Sequence, residues 1–272
     1  MNTRSGVLLT ALLVGSGLAT DPPKVTRVGE VSVVVTRISV PMLGDRDMVV
    51  GTGSFRPGSD AGGPLRSQDQ CFVAEMDDGQ AAPTGQPPGA ASPAPGLSLD
   101  AGDPLTLRLG TQVYATLPRR QQGQVISYAT DMPNPLKAPP AGLVLDIPGA
   151  AGGFPAMKDR ALPTAALLRL TAPAAGDPVT PQTAFQWANP SNDPATQVML
   201  SALDEERGLA LTCLAVDDGA FSLPAATAAD LKARGWGEGL LTTYGRMATR
   251  TYQQGDARLT LNSIVMQVNT GF

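Results

Sequence analysis

From Val31 onward the chain never runs far without a residue that breaks regular structure. Short β-rich runs, "VSVVVTRISV" (31–40), "DMVVGTGSF" (47–55), "QCFVAEM" (70–76), "PLTLRL" (104–109), "TQVYATL" (111–117), "QVISYA" (124–129) and "GLVLDIPG" (142–149), are separated by Gly, Pro, Asp or Asn. A second set follows: "TAFQWA" (183–188), "ATQVMLSAL" (195–203), "GLALTCLAV" (208–216), "GLLTTYGRMATRTYQ" (239–253) and "ARLTLNSIVMQV" (257–268). Such spacing suits antiparallel sandwiches or barrels. The 30 glycines and 25 prolines in 272 residues, about one residue in five, leave little room for long helices. The expected fold is all-β, with two antiparallel β-sandwich-like domains and one short helix in the second.

The domains are expected at 30–160 and 165–272, divided by the Pro-rich "APAAGDPVTPQ" (172–182), with "AALLRLT" (165–171) opening the second unit. Within the first, "GQAAPTGQPPGAASPAPG" (79–96) has no charge and almost no bulky side chain, which predicts a flexible loop. Residues 1–19 read as an export signal. Arg4 precedes an apolar run from Gly6 to Ala19, and Gly17 and Ala19 stand where a signal peptidase reads. Cleavage is expected after Ala19, which places the mature chain in the periplasm or at the cell surface, with no transmembrane segment.

Histidine is absent, which removes Ser-His-Asp and Cys-His catalysis and the usual imidazole metal ligands. No nucleophile elbow, P-loop or Asp-Thr-Gly motif replaces them. A carboxylate pair for glycoside hydrolysis remains as a minor alternative. No catalytic set, metal site or cofactor is expected. A formal charge of −4, without a basic cluster, argues against nucleic acid.

The best organised stretch is "GLALTCLAVDDGAFSLPAATAADLKARG" (208–235). Leu209, Leu211, Cys213 and Ala215 alternate onto one side of a strand. Asp217, Asp218 and Gly219 then supply turn chemistry, with calcium as the weaker reading of the two carboxylates. Pro224 fits the first position of a short helix, Gly235 the residue past its end, and Leu231 is its one large apolar anchor. "CFVAEMDDG" (71–79) echoes "CLAVDDG" (213–219). If the domains are related copies, Cys71 and Cys213 sit in separate cores, beyond the roughly 7 Å that a disulfide allows between Cα atoms. If not, an exported chain with two cysteines is expected to pair them.

The candidate contact surface is "YGRMATRTY" (244–252), which puts Tyr244, Arg246, Arg250 and Tyr252 on one face of a regular strand. Trp236, set between glycines, is a candidate stacking platform for a sugar ring. The expected partner is another envelope protein or a surface polymer. The leading function is a non-catalytic structural or partner-binding envelope protein, and the alternative is a glycan- or peptidoglycan-binding module.

The second half, with "FQWANP", "VMLSAL", "LTCLAVDDGAFSLPAATAADL" and "GLLTTYGR", resembles the C-terminal part of envelope lipoproteins from GC-rich Gram-negative bacteria such as myxobacteria. "GTGSFRPG", "QCFVAEM", "LDAGDPLTLRLG" and "IPGAAGGFPAM" are similar to their first half, more loosely. The resemblance implies β-sandwich domains and an envelope location, and brings no catalytic residues. This chain departs from it in carrying Thr20 where the lipid-bearing cysteine would stand, and in having no second cysteine near Cys71.

Overall fold

The computed structural model describes residues 24–40, 44–58, 69–76, 98–131, 141–174 and 177–268. The expected leader at 1–19, the whole of the loop at 79–96 and the C-terminal Phe272 lie outside them. Among the described residues the fold is all-β with one short helix. The first half supplies β1 (Arg27–Val40), β2 (Gly44–Pro57), β3 (Gln70–Glu75), β4 (Leu105–Leu109), β5 (Gln112–Leu117), β6 (Arg119–Gln122), β7 (Val125–Ala129), β8 (Val144–Ile147) and β9 (Met157–Ala161). The second supplies β10 (Arg169–Ala172), β11 (Pro178–Val179), β12 (Ala184–Ala188), β13 (Thr196–Asp204), β14 (Leu209–Val216), β15 (Ala220–Ser222), α1 (Ala225–Ala233), β16 (Gly239–Gln254) and β17 (Ala257–Val268). The polar strands β6 ("RRQQ") and β9 ("MKDRA") carry no apolar alternation, which is why pattern reading passes over them.

A ten-stranded sheet runs through both halves in the order β3-β14-β13-β16-β17-β1-β2-β7-β6, with β11 beside β16. Along β16, Tyr244 lies opposite Leu200 of β13, and Tyr252 opposite Leu259 of β17. Even spacing puts both tyrosines on one face, so two cores share that face of the sheet. Core one holds Val31, Val33, Val35, Phe55, Leu259 and Leu261, closed by the four-stranded sheet β5-β4-β8-β9 through Leu105, Leu107, Leu117, Leu145 and Ile147. Core two holds Val198, Leu200, Leu209, Leu211 and Cys213, closed by the three-stranded sheet β10-β12-β15 through Phe185, Trp187 and Phe221.

Three aromatic rings anchor core one. Phe55 packs edge-on against Tyr128, with centroids 5.4 Å apart, and lies 4.7 Å from Phe154. Gly29 faces Phe55 across the β1–β2 ladder, and a Cβ there would fall 2.5 Å from the Phe55 ring, so the missing side chain makes room for the cluster. In core two, α1 buries Leu231 completely, worth about 1.5–3 kcal/mol. Gly235 follows at φ 74°, the left-handed position that glycine occupies past a helix end. Pro224 stands one residue before α1 rather than inside it.

Strands from either side of residues 160–165 lie in one sheet. The 16-residue β16 and 12-residue β17 pass beneath both cores, so Ala257, Leu259 and Leu261 fill core one from the second half. In exchange, β3 leaves the first half to pair with β14, and Cys71 and Val73 pack against core two. Cys71 stands directly opposite Cys213 in that ladder, with Cα atoms 4.1 Å apart, and the two form a disulfide. The separate-core alternative fails because the two cysteine strands are sheet neighbours rather than equivalent strands of two copies.

Candidate functional site

The register of β16 does put Tyr244, Arg246, Arg250 and Tyr252 on one face, but that face is not uniformly open. Arg246 is 3% exposed and enters a polar pocket under the 188–192 turn. Its Nη2 donates to the carbonyls of Asn189 (2.7 Å) and Ala188 (3.3 Å) and to Asp217 Oδ1 (3.2 Å). Its Nε lies 2.9 Å from Asp217 Oδ2 without hydrogen-bond alignment, so that contact is ionic. The expectation of Arg246 as a surface contact is corrected. The chain after β12 folds over this part of the strand, and only a buried partner charge makes that burial tolerable.

Asp217 is the other half of the pair and is fully buried. Trp187 Nε1 donates to its Oδ1 at 2.7 Å, and the Ser191 backbone N–H to its Oδ2 at 3.0 Å. Its backbone carbonyl accepts from Asn192 N at 3.0 Å, and Gly219 closes the turn at φ 108°. With an indole, a backbone amide and a guanidinium around it, the carboxylate holds a corner together. Among the described residues, no group of three or more Cys, Asp, Glu or His side chains gathers as a metal-ligand set.

Trp236 is 6% exposed, and its Nε1 donates to the Val179 carbonyl at 2.8 Å. It packs within core two, and Gly239 admits its ring, since a Cβ there would lie 2.1 Å from it. The expected stacking platform is therefore corrected: burial and a satisfied N–H make Trp236 a core residue. Tyr244 is half-buried against the same core, and burial raises its phenol above the ordinary tyrosine range.

What remains outside is the far end of β16. Arg250 is exposed. Tyr252 is half-buried, and its hydroxyl donates to the Ala161 carbonyl at 2.8 Å. The Arg160 guanidinium sits 5.4 Å from the Tyr252 ring centre, a cation–π contact. Arg160 Nη2 also donates to Gln254 Oε1 at 2.8 Å, and Gln254 Nε2 donates to the Ala156 carbonyl at 2.9 Å. The surface is a half-buried aromatic ring tied by its hydroxyl, one engaged arginine and one exposed arginine. Arg160 lies in the polar run "MKDRA", where no sequence signal singles it out. Its place follows from β9 closing core one beside β16.

Elsewhere, carboxylates are held by arginines: Asp47 by Arg37, Asp146 and Asp159 by Arg108, Asp256 by Arg27 and Asp100 by Arg119. Hydrogen bonding from Arg37 and from Arg108 holds Asp47 and Asp146 below the ordinary carboxylate range. Arg27 and then Thr26 do the same for Asp256. At Asp100, burial pushes upward, but the Gly102 amide, the Tyr128 hydroxyl and Arg119 together prevail. No described helix is long and apolar enough to cross a membrane. No protein family and no curated protein matches the chain.

Proposed function

We propose that this chain is an exported, non-catalytic component of a Gram-negative-type bacterial envelope with a structural or partner-binding role. The observation that carries the reading is the Cys71–Cys213 disulfide, because such bonds persist in oxidising compartments and are rare in the cytosol. The leader-like residues 1–19 and the resemblance to envelope lipoproteins point the same way. Several features weigh against a hydrolase. The chain has no histidine, and among the described residues the displaced carboxyl groups Asp47, Asp100, Asp146 and Asp256 are displaced downward, whereas a glycosidase acid needs a raised one. The glycan alternative loses its platform with Trp236 enclosed.

The contact surface is the Arg250–Tyr252 end of β16 with Arg160 beside it, aromatic and guanidinium groups of the kind that interfaces favour. Its partner is another envelope protein or a surface polymer. The test is gentle extraction followed by native size-exclusion chromatography, comparing the wild type with Arg250→Glu, which leaves the packed Tyr252 ring in place. The expected result is co-elution of the mature chain with a partner, lost in the variant while its unfolding midpoint stays close to wild type. Retained co-elution in the variant removes this surface. Elution alone in the wild type removes the partner-binding role.

A further inference from the structure

The strand β14 is written as an interior strand. Residues 209–214, "LALTCL", hold no charge and no proline, the devices by which open sheet edges are normally protected. β3 covers that edge and carries the protection instead: it is six residues long, with Asp69 just before it and Glu75 at its end. None of its six side chains is fully buried, and Ala74 and Glu75 are exposed.

The non-covalent hold on β3 is slight. Among the described residues it comprises the ladder from Gln70–Leu214 to Glu75–Leu209, an Asp69 Oδ1 acceptor for Val216 N (2.9 Å), a Met76 N–H to Gly208 O bond (2.7 Å) and the neighbouring α1. The Glu75–Arg234 pair at 3.2 Å adds little, because the Glu75 side chain is 75% exposed. Core two draws only Cys71 and Val73, both partly buried, from this strand, and keeps its own cover of β10, β12, β15 and α1. Phe55, before β3 in the chain, and Leu99, after it, belong to core one, where Leu99 N bonds Phe55 O at 2.8 Å. A detached β3 would therefore stay tethered, and both cores would stay closed.

We infer that the Cys71–Cys213 disulfide is a releasable fastener, whose reduction frees β3 and uncovers the β14 edge while both cores remain folded. The reductant is a dithiol. Its thiolate attacks the sulfur of Cys71, the more accessible partner, since Cys213 is 1% exposed. The S–S bond breaks, a mixed disulfide forms on Cys71, and Cys213 leaves as a thiolate that takes up a proton. The second thiol of the reagent then displaces Cys71, so the dithiol ends oxidised to a disulfide and the protein gains two thiols. The uncovered edge presents unpaired backbone groups on an uncharged strand, a surface suited to strand addition.

The test is hydrogen exchange read by mass spectrometry on the full chain, with and without dithiothreitol, with bond opening confirmed by mass. Amides of residues 70–75, and the β14 amides bonded to them, are expected to exchange at least about tenfold faster once reduced. Those of Val31–Val35, Leu259–Leu261 and Phe185–Trp187 are expected to hold their protection. Unchanged exchange at β3 with the bond open overturns the inference, because the strand then holds without its fastener. Acceleration everywhere also overturns it, because the bond is then a global staple. Cys71→Ala/Cys213→Ala is expected to give the local pattern without reductant.

Discussion

Arg246 and Asp217 carry opposite charges into a place where their side chains are 4% and 0% exposed. Burial of this kind gains little over an apolar pair but makes each partner depend on the other. Arg246→Met strands the Asp217 carboxylate with the Trp187 and Ser191 donors only, and is expected to cost about 3–5 kcal/mol in denaturant unfolding. Asp217→Asn in the same chain should recover part of that loss, since an amide oxygen still accepts from Trp187 and carries no charge. A cost under about 1 kcal/mol for Arg246→Met would mean that the charge reaches water. The sequence allows the face of Arg246 to be read, because alternation along β16 is strict from Tyr244 to Tyr252. It does not show what lies over that face, because the 188–192 turn is brought there by pairing of β12 with β10 and β15, far away in the chain. The Asp-Asp-Gly turn is legible from its own residues; its ties to Trp187 and Arg246 are long-range and are not.

At the scale of elements, strands with apolar alternation or β-branched runs are legible, and those closed by polar residues are not. The same local pattern gives no partner for a strand. "QCFVAEM" reads as a strand of the first domain, yet its neighbour is β14, since pairing depends on where the long β16 and β17 carry the second half. Those two strands meet at an unusually close point. A Cβ on Gly245 would lie 2.2 Å from the Val265 carbonyl oxygen and 2.8 Å from the Met266 Cα, both backbone atoms that cannot swing aside. Gly245→Ala is therefore expected to destabilise by about 1–3 kcal/mol, by pushing β16 and β17 apart beneath both cores. A midpoint shift near zero in chemical unfolding would show that the ladder yields there without cost.

For the whole molecule, the absence of histidine removes the side chain that ordinarily titrates between pH 5 and 8. Stability is expected to stay level across that range. Asp47, Asp100, Asp146 and Asp256 have folded-state pKa values below their unfolded ones. The stability they contribute is complete above the unfolded value of about 3.9 and is lost as pH falls through the lower folded values. Thermal midpoints should therefore drop below about pH 4, and a slope between pH 6 and 7 would require another titrating group. The all-β class and the single helix follow from sequence pattern, whereas the sharing of strands between the cores is a property of the assembled sheet. That sharing also brings Cys71 to Cys213 across 142 residues of chain, and the resulting bond underlies the proposal of an oxidising compartment. The most direct measurement is peptide mapping without reduction of the chain recovered from fractionated cells. The chain is expected in the envelope fraction, beginning at Thr20, with a linked peptide pair containing Cys71 and Cys213. Recovery from the cytosol, with residues 1–19 retained and both cysteines as free thiols, would contradict it.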